Sequence, residues 1–202
     1  ESLPFVEAVR QLKREMGKNA IVVHLTYVPY LAAAGELKTK PTQNSVKVML
    51  SQGVQPDIIV CRCERHLTEP IKDKISLFCN VDKSCVIESV DAKSIYEVPL
   101  NVNKEGLDYQ VLKKTDTPIN SEPDLDSWKK FLYKLSNPIN EVNIGLVGKY
   151  VELRDAYKSI TESFIHSGAT LQTKVNVRWI HSEELEKGED KVNELLSGLN
   201  GI

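Results

Sequence analysis

Long apolar runs are missing from this sequence of 202 residues, and neither sign of charge is in surplus. No stretch approaches the roughly 18 to 20 consecutive apolar residues that a membrane span requires, and no secretion signal opens the chain. The 26 basic and 28 acidic residues give a formal net charge of −2, so no broad electrostatic field attracts nucleic acid or anionic membranes. We therefore expect a soluble, non-secreted protein that binds neither nucleic acid nor membrane.

Cysteine is also scarce, because the chain contains only Cys61, Cys63, Cys79 and Cys85. The first two are separated by a single residue in an apolar run, a spacing that puts both side chains on one face of a strand. Zinc sites usually leave two to four residues between paired ligands and need a second pair, which this sequence lacks. Buried, reduced thiols are the favoured interpretation, ahead of a metal site or redox chemistry, and they indicate a cytoplasmic compartment.

Several catalytic motifs are absent as well, among them glycine-rich phosphate loops, nucleophile elbows and paired carboxylates with metal-site spacing. Gly145 and Gly148 end a strand pattern, but no third glycine opens the next helix, which argues against a nicotinamide dinucleotide site. The histidines are scattered and none pairs locally with cysteine or serine, so each is interpreted as structural. They are His24, His66, His166 and His181.

What the sequence does contain is an alternation of short apolar runs and amphipathic helical patterns. Residues 20–28 and 58–63 are rich in β-branched side chains and are typical of buried parallel strands. The alternation predicts an α/β fold with a mostly parallel sheet. Ligands of such sheets collect beyond the carboxyl ends of the strands, so the loops after Val28 and Cys63 are the first places to look for a site.

A second α/β pattern follows a polar stretch. Residues 113–123 are rich in threonine, proline, asparagine and aspartate and are interpreted as a linker, followed by a helix over 125–135 and a domain boundary near residue 140. Strands over 142–147 and 175–180 and helices over 155–166 and 189–196 come next. About 60 residues are too few for a complete domain of this kind. We therefore expect the start of a larger domain, and an internal segment of a longer protein.

The densest candidate site is the loop over residues 35–43. Lys38 and Lys40 supply positive charge, while the hydroxyls of Thr39 and Thr42 and the amide of Gln43 supply directional donors at the start of a predicted helix. This composition is typical of a phosphate cradle, on which Lys74 from the helix after the next strand could converge. The alternative at this point is that all three lysines are ordinary solvent-exposed side chains.

Short motifs in six further segments occur with this hexapeptide, Lys38-Thr39-Lys40-Pro41-Thr42-Gln43, in a fixed order along essentially the whole chain. They are ESLPF at 1–5, QPD at 55–57, KI and FC within 74–79, SIY and VP within 94–99, VGKY at 147–150 and DAYKS at 155–159. In these motifs the chain resembles the CTP synthase family.

The resemblance implies a ligase of pyrimidine nucleotide biosynthesis, which uses ATP and glutamine to aminate UTP to CTP and is inhibited by CTP. Residues 1–112 would be the later part of a Rossmann-like synthetase domain of the P-loop type. Residues 113–140 would be the linker, and residues 141–202 the start of a flavodoxin-like glutamine amidotransferase domain. The phosphate loop and the glutaminase triad would lie outside this chain. It would then contain no catalytic residue and would be inactive alone.

The resemblance also assigns binding residues. Residues Lys38, Thr39, Lys40, Pro41, Thr42 and Gln43, with Lys74, would hold the triphosphate of UTP or of the inhibitor CTP. Glu1 would belong to the CTP site, and Val90, Asp91 and Ala92 would line the adenine of ATP. Mg²⁺ would accompany ATP, with protein ligands outside this chain.

The quaternary structure that the resemblance implies is a homotetramer, with filaments and allosteric activation by GTP as further options. A competing hypothesis is a non-catalytic module of the same fold that binds nucleoside triphosphates or serves in assembly. The residues quoted above would serve either protein, so both hypotheses stay open at this point.

Overall fold

A computed structural model describes residues 2–202 and divides them into two compact units, of which the first ends at Pro123 and the second begins at Asp124. Within the described residues, no helix is both long enough and apolar enough to cross a membrane. The helix α6 (Asp126–Ser136) belongs to the second unit. The sequence had placed this helix between the linker and a boundary near residue 140.

The first unit contains a parallel sheet with helices on both faces, as the alternation of patterns predicted. The strands of the first unit are β1 (Val23–Val28), β2 (Tyr30–Leu31), β3 (Glu36–Leu37), β4 (Ile58–Cys63) and β5 (Val86–Val90). Its helices are α1 (Leu3–Met16), α2 (Lys40–Ser51), α3 (Glu69–Cys79), α4 (Val98–Lys104) and α5 (Leu107–Lys114). The sheet order is β1-β4-β5, and both pairings are parallel.

Strand β4 lies in the middle of this sheet and is buried on both faces, which explains its nearly continuous apolar sequence. Ile59, Cys61 and Cys63 point to one face and pack in a core that includes Val46 of α2 and Ile75 of α3. On the other face, Ile58 and Val60 form a second core with Cys85 and Ile87, against which Leu107 and Val111 of α5 pack.

The buried position of the cysteines confirms the interpretation of reduced thiols. All four are free and buried. Burial raises the pKa of Cys61 to about 12 and that of Cys63 to about 11, so both thiols stay protonated near neutral pH. A thiol in this state is neither a nucleophile nor a metal ligand, and the residues therefore act as small apolar side chains.

A two-strand hairpin replaces what the sequence predicted to be a plain loop after β1. Strands β2 and β3 pair antiparallel, with Tyr30 opposite Leu37, and Gly35 adopts a positive φ of 65° in the turn between them. The amide of Lys38 donates to the carbonyl of Pro29 at 2.9 Å. The hairpin therefore returns the chain to the end of β1, where helix α2 begins.

The second unit has a parallel pair of strands with helices. Strands β6 (Asn140–Gly148) and β7 (Thr173–His181) pair in parallel along their whole length, and helices α7 (Lys158–Leu171) and α8 (Glu189–Leu196) accompany α6. The predicted strands and α8 are confirmed, whereas α7 begins three residues later and ends five residues later than expected. Gly168 is required near the end of α7, because a Cβ there would lie 2.6 Å from the carbonyl oxygen of Thr173.

The two faces of α3 provide a test of the core of the first unit. Ile75→Ala should lower the free energy of unfolding by about 2–5 kcal/mol, because it opens a cavity in a fully buried site. Leu77→Ala on the same helix should cost less than about 1 kcal/mol, because the Leu77 side chain is 77% exposed. Urea unfolding under reducing conditions measures both changes, and equal losses would contradict the assignment of the core.

Candidate functional site

Two cavities open at the edge of the first unit's sheet where the parallel strands end. The hairpin cavity, of about 610 Å³, is lined by Tyr30, Gly35, Glu36, Leu37, Lys38, Thr39, Lys40, Gln43, Arg65, His66, Thr68, Ile71 and Lys74. The β5 cavity, of about 460 Å³, is lined by His66, Glu88, Val90, Asp91, Ala92, Lys93, Glu97, Asn101, Lys104 and Glu105. The loops that the sequence selected, after Val28 and Cys63, line the hairpin cavity, and the second of them also contributes His66 to the β5 cavity.

Positive charge dominates the hairpin cavity. Four cationic side chains line it, Lys38, Lys40, Arg65 and Lys74, against the single carboxylate of Glu36. That carboxylate forms an ion pair with Lys38. Among residues 2–202, neither Lys40 nor Lys74 forms an ion pair with a carboxylate. The hydrogen bond from Lys38 and, to a smaller degree, the charge of Lys74 lower the pKa of Glu36. The structure thus brings the three predicted lysines together in one cavity.

Two helix N-termini border the same cavity. Helix α2 begins at Lys40 after the N-cap residue Thr39, and helix α3 begins at Glu69 after Thr68. Both helices carry proline in the first turn, where a missing N–H costs no hydrogen bond. The first amides of a helix have no partner within it and carry partial positive charge, so they add to the attraction for an anion.

The polar residues of the hexapeptide divide between the cavity and the core. Thr39 and Gln43 line the cavity and bond to each other, because the Gln43 amide donates to the Thr39 hydroxyl at 2.9 Å. Pro41 and Thr42 do not line it. The Thr42 hydroxyl is fully buried and donates to the carbonyl of Tyr27 at 3.2 Å, which fixes the start of α2 against β1.

The β5 cavity contains the three residues that the resemblance assigns to ATP. Val90 ends β5, Asp91 and Ala92 follow it, and the Asp91 amide donates to the Cys63 carbonyl at 3.0 Å. The Asp91 carboxylate accepts a hydrogen bond from Arg62 at 3.1 Å. The segment is therefore held by its own backbone and by one ion pair. Glu1, which the resemblance assigns to CTP, lies outside the described residues.

The β4–α3 loop, residues 64–68, was not assigned any particular role from the sequence. It contributes Arg65 and Thr68 to the hairpin cavity and His66 to both cavities. Position in the loop after Cys63 was the only signal that could have found these residues. Within the described residues, Arg65 lies over the ring of Tyr30 with its guanidinium carbon 3.6 Å from the ring centroid.

Glu88 anchors this loop from the side of β5. Its buried carboxylate accepts hydrogen bonds from His66 Nδ1 at 2.6 Å and from the Leu67 amide at 2.8 Å. Burial alone would raise the pKa of Glu88, but these hydrogen bonds outweigh it and hold the pKa below its ordinary value. Glu88 is therefore an ionised structural group near neutral pH. His66, interpreted from the sequence as structural, is its partner.

In the second unit, the packing of Tyr157 explains why a glycine, Gly148, stands at the end of β6. A Cβ at Gly148 would collide with the hydroxyl of Tyr157, which donates to the Lys149 carbonyl. The glycine thus allows close approach of an aromatic side chain. Residues 2–202 contain no group of three or more histidine, cysteine, aspartate or glutamate side chains placed to hold a metal ion.

Comparison with known proteins gives one consistent family. The family described as CTP synthase N-terminus matches residues 1–117. The CTP synthase of Methanocaldococcus jannaschii is 59% identical over 94% of this chain and 35% of its own length. Those of Flavobacterium psychrophilum and Ruminiclostridium cellulolyticum are 58% and 51% identical over the whole chain, which covers 37% and 38% of their lengths. The chain thus spans little more than a third of these relatives.

The contacts of Glu88 predict an acid-sensitive loop. Because its pKa is lower in the folded state, Glu88 stabilises the fold above the ordinary glutamate value of about 4.3 and loses this effect as the pH falls through its lowered pKa. Glu88→Gln should lower the free energy of unfolding by about 1.5–3 kcal/mol at pH 7. The difference from the unsubstituted protein should shrink as the pH falls below about 4.3.

Urea unfolding at several pH values and hydrogen exchange of the Leu67 amide measure this effect. Glu15→Gln is the matched control, since it removes an exposed carboxylate that has no partner among the described residues. A Leu67 amide that exchanges equally fast in Glu88→Gln and in the unsubstituted protein would contradict the anchoring role.

Proposed function

The chain belongs to the CTP synthase family, and we propose that it is part of an enzyme that aminates UTP to CTP with ATP and glutamine. The observation that carries this proposal is the cationic hairpin cavity, built from the hexapeptide and Lys74 between two helix N-termini. A nucleoside triphosphate carries about four negative charges near neutral pH, and the four cations of the cavity can balance most of them.

In the proposed reaction, the hairpin cavity binds the triphosphate of UTP, and of CTP when it acts as inhibitor. Lys40 and Lys74 offer ammonium groups that form no ion pair among the described residues, and Thr39 and Gln43 offer neutral donors. Lys38 must exchange its partner Glu36 for a phosphate oxygen, or share the two. A triphosphate common to both nucleotides explains how one set of residues would serve substrate and inhibitor.

The β5 cavity is proposed to receive the adenosine of ATP. Its wall at Val90 and Ala92 offers backbone groups, which can read the polar edge of a purine without a dedicated side chain. Oxygen O4 of the UTP pyrimidine then attacks the γ-phosphorus of ATP and releases ADP. Ammonia displaces the resulting phosphate at C4 and gives CTP and inorganic phosphate. The residues described here bind and orient nucleotides, and we assign none of them to bond making.

The second unit is proposed to begin the glutamine amidotransferase domain that supplies ammonia. Its parallel pair β6–β7 with flanking helices supports a flavodoxin-like start. Residues 2–202 contain no cluster of ligands for the Mg²⁺ that is expected with ATP. We assign no residue of this chain to that ion. The free, buried thiols support a reducing compartment such as the cytoplasm. The homotetramer, filaments and GTP activation remain predictions.

Lys40 tests the proposed triphosphate site. In the complete natural protein that contains this chain, Lys40→Ala should weaken the binding of UTP and of CTP by a similar factor, roughly 10- to 100-fold, because one charge-assisted contact to the shared triphosphate is lost. Isothermal titration calorimetry with each nucleotide alone measures both affinities.

Lys47→Ala is the matched control, because Lys47 is an exposed lysine of the same helix that does not line the hairpin cavity. Its nucleotide affinities should stay within about twofold of those of the unsubstituted protein. Unchanged UTP affinity in Lys40→Ala would refute the site. Binding of both nucleotides without any turnover of ATP and glutamine by the complete protein would favour the non-catalytic module instead.

A further inference from the structure

We propose that Arg65 is a further binding residue for the nucleotide triphosphate in the hairpin cavity, and that Tyr30 is its positioning residue. This inference rests on the proposed function and adds to it two residues that neither the hexapeptide nor Lys74 would reveal. Three observations support it: the place of Arg65 in the cavity wall, its contact with Tyr30, and the guanidinium N–H donors that no carboxylate among the described residues engages.

Arg65 belongs to the same cavity as the lysines but comes from a different strand end. The hexapeptide follows β1 through the hairpin, whereas Arg65 follows β4, and Lys74 stands on the next helix. A triphosphate is an extended polyanion with oxygen atoms on every side. Cations that approach it from several separate elements can therefore contact more phosphates than a single loop can.

The contact of Arg65 with Tyr30 holds the guanidinium at the wall of the cavity that both residues line. With the guanidinium carbon 3.6 Å from the ring centroid, the guanidinium lies over the face of the aromatic ring in a cation–π contact. Its five N–H donors lie at the edge of the plane and remain available. Among residues 2–202, no carboxylate pairs with Arg65, so these donors are not already used within the protein.

A guanidinium held in this way suits phosphate better than a free surface arginine does. Its planar fork matches two oxygen atoms of one phosphate, and the ring restricts the side-chain motion that binding would otherwise have to freeze. Tyr30 also opens the hairpin that leads to Lys38 and Lys40. The stack therefore fixes the β4–α3 loop to the hairpin and sets the distance between the two groups of cations.

Arg65→Ala tests the ligand role in the complete natural protein, with UTP and inorganic tripolyphosphate as probes. It should weaken both by a similar factor, roughly 10- to 100-fold, because the contact is to phosphate and not to the base or sugar. Arg65→Lys keeps the charge but loses the fork and should recover only part of the affinity. Arg14→Ala removes an arginine that lines neither cavity, and should leave both affinities unchanged.

Two substitutions of Tyr30, one that keeps the aromatic ring and one that removes it, test the positioning role. Tyr30→Phe keeps the aromatic face and should bind UTP like the unsubstituted protein, whereas Tyr30→Leu should lose affinity for UTP and for tripolyphosphate. Thermal unfolding without ligand shows whether each variant is folded, and a purely structural role for Tyr30 would lower the melting temperature without the matching loss for both probes.

The outcomes separate this inference from the proposed function. Full UTP affinity in Arg65→Ala together with a loss in Lys40→Ala would overturn the role of Arg65 and leave the triphosphate site in place. A loss for UTP without one for tripolyphosphate would also overturn it, because the contact would then be to the nucleoside. Full affinity in both variants would refute the proposed function itself.

Discussion

The burial of β4 between two parallel neighbours is the constraint on which the first unit depends. Five of its six residues are buried, and the side chains that alternate along it supply both cores. Because β1, β4 and β5 run in the same direction, the chain leaves all three at one edge of the sheet. Each departing segment must turn over that edge before it can enter a helix. Both cavities lie among these segments, so apolar packing determines where the site is, and the loops determine what it can bind.

Exposed and buried charges have different roles at the edge of the sheet where the strands end. Among the described residues, Lys40 and Lys74 line the cavity without forming ion pairs, and a cluster of like charges is tolerated there because water and salt screen it until a ligand arrives. Glu88 is buried, where an unpaired carboxylate would be costly, and it is satisfied by two hydrogen bonds. The exposed charges are thus available for an anion, whereas the buried charge of Glu88 holds the β4–α3 loop, which carries Arg65.

The sequence predicted the elements whose burial is periodic and missed those that depend on local geometry. Strand β4 and helix α8 have the predicted bounds, and the parallel pairing followed from the alternation of patterns. The hairpin strands contain two residues each, too few for a periodic signal. Lys38, Lys40 and Lys74 were found because charge and spacing are visible in a sequence. Arg65 and Glu88 were not, because a stacking partner and a buried hydrogen bond exist only once distant segments meet.

The β4–α3 loop connects these two uses of charge. The Leu67 side chain is buried in the first core, its amide is held by Glu88, and Arg65 two residues earlier lies over Tyr30. A five-residue loop anchored at three points has little conformational entropy left to lose when a ligand binds. Since His66 of this loop lines both cavities, the same anchors fix the wall that the cavities share. The proposed function requires the reacting atoms of two bound nucleotides to be held at a set distance, and a rigid wall common to both cavities would be one such constraint.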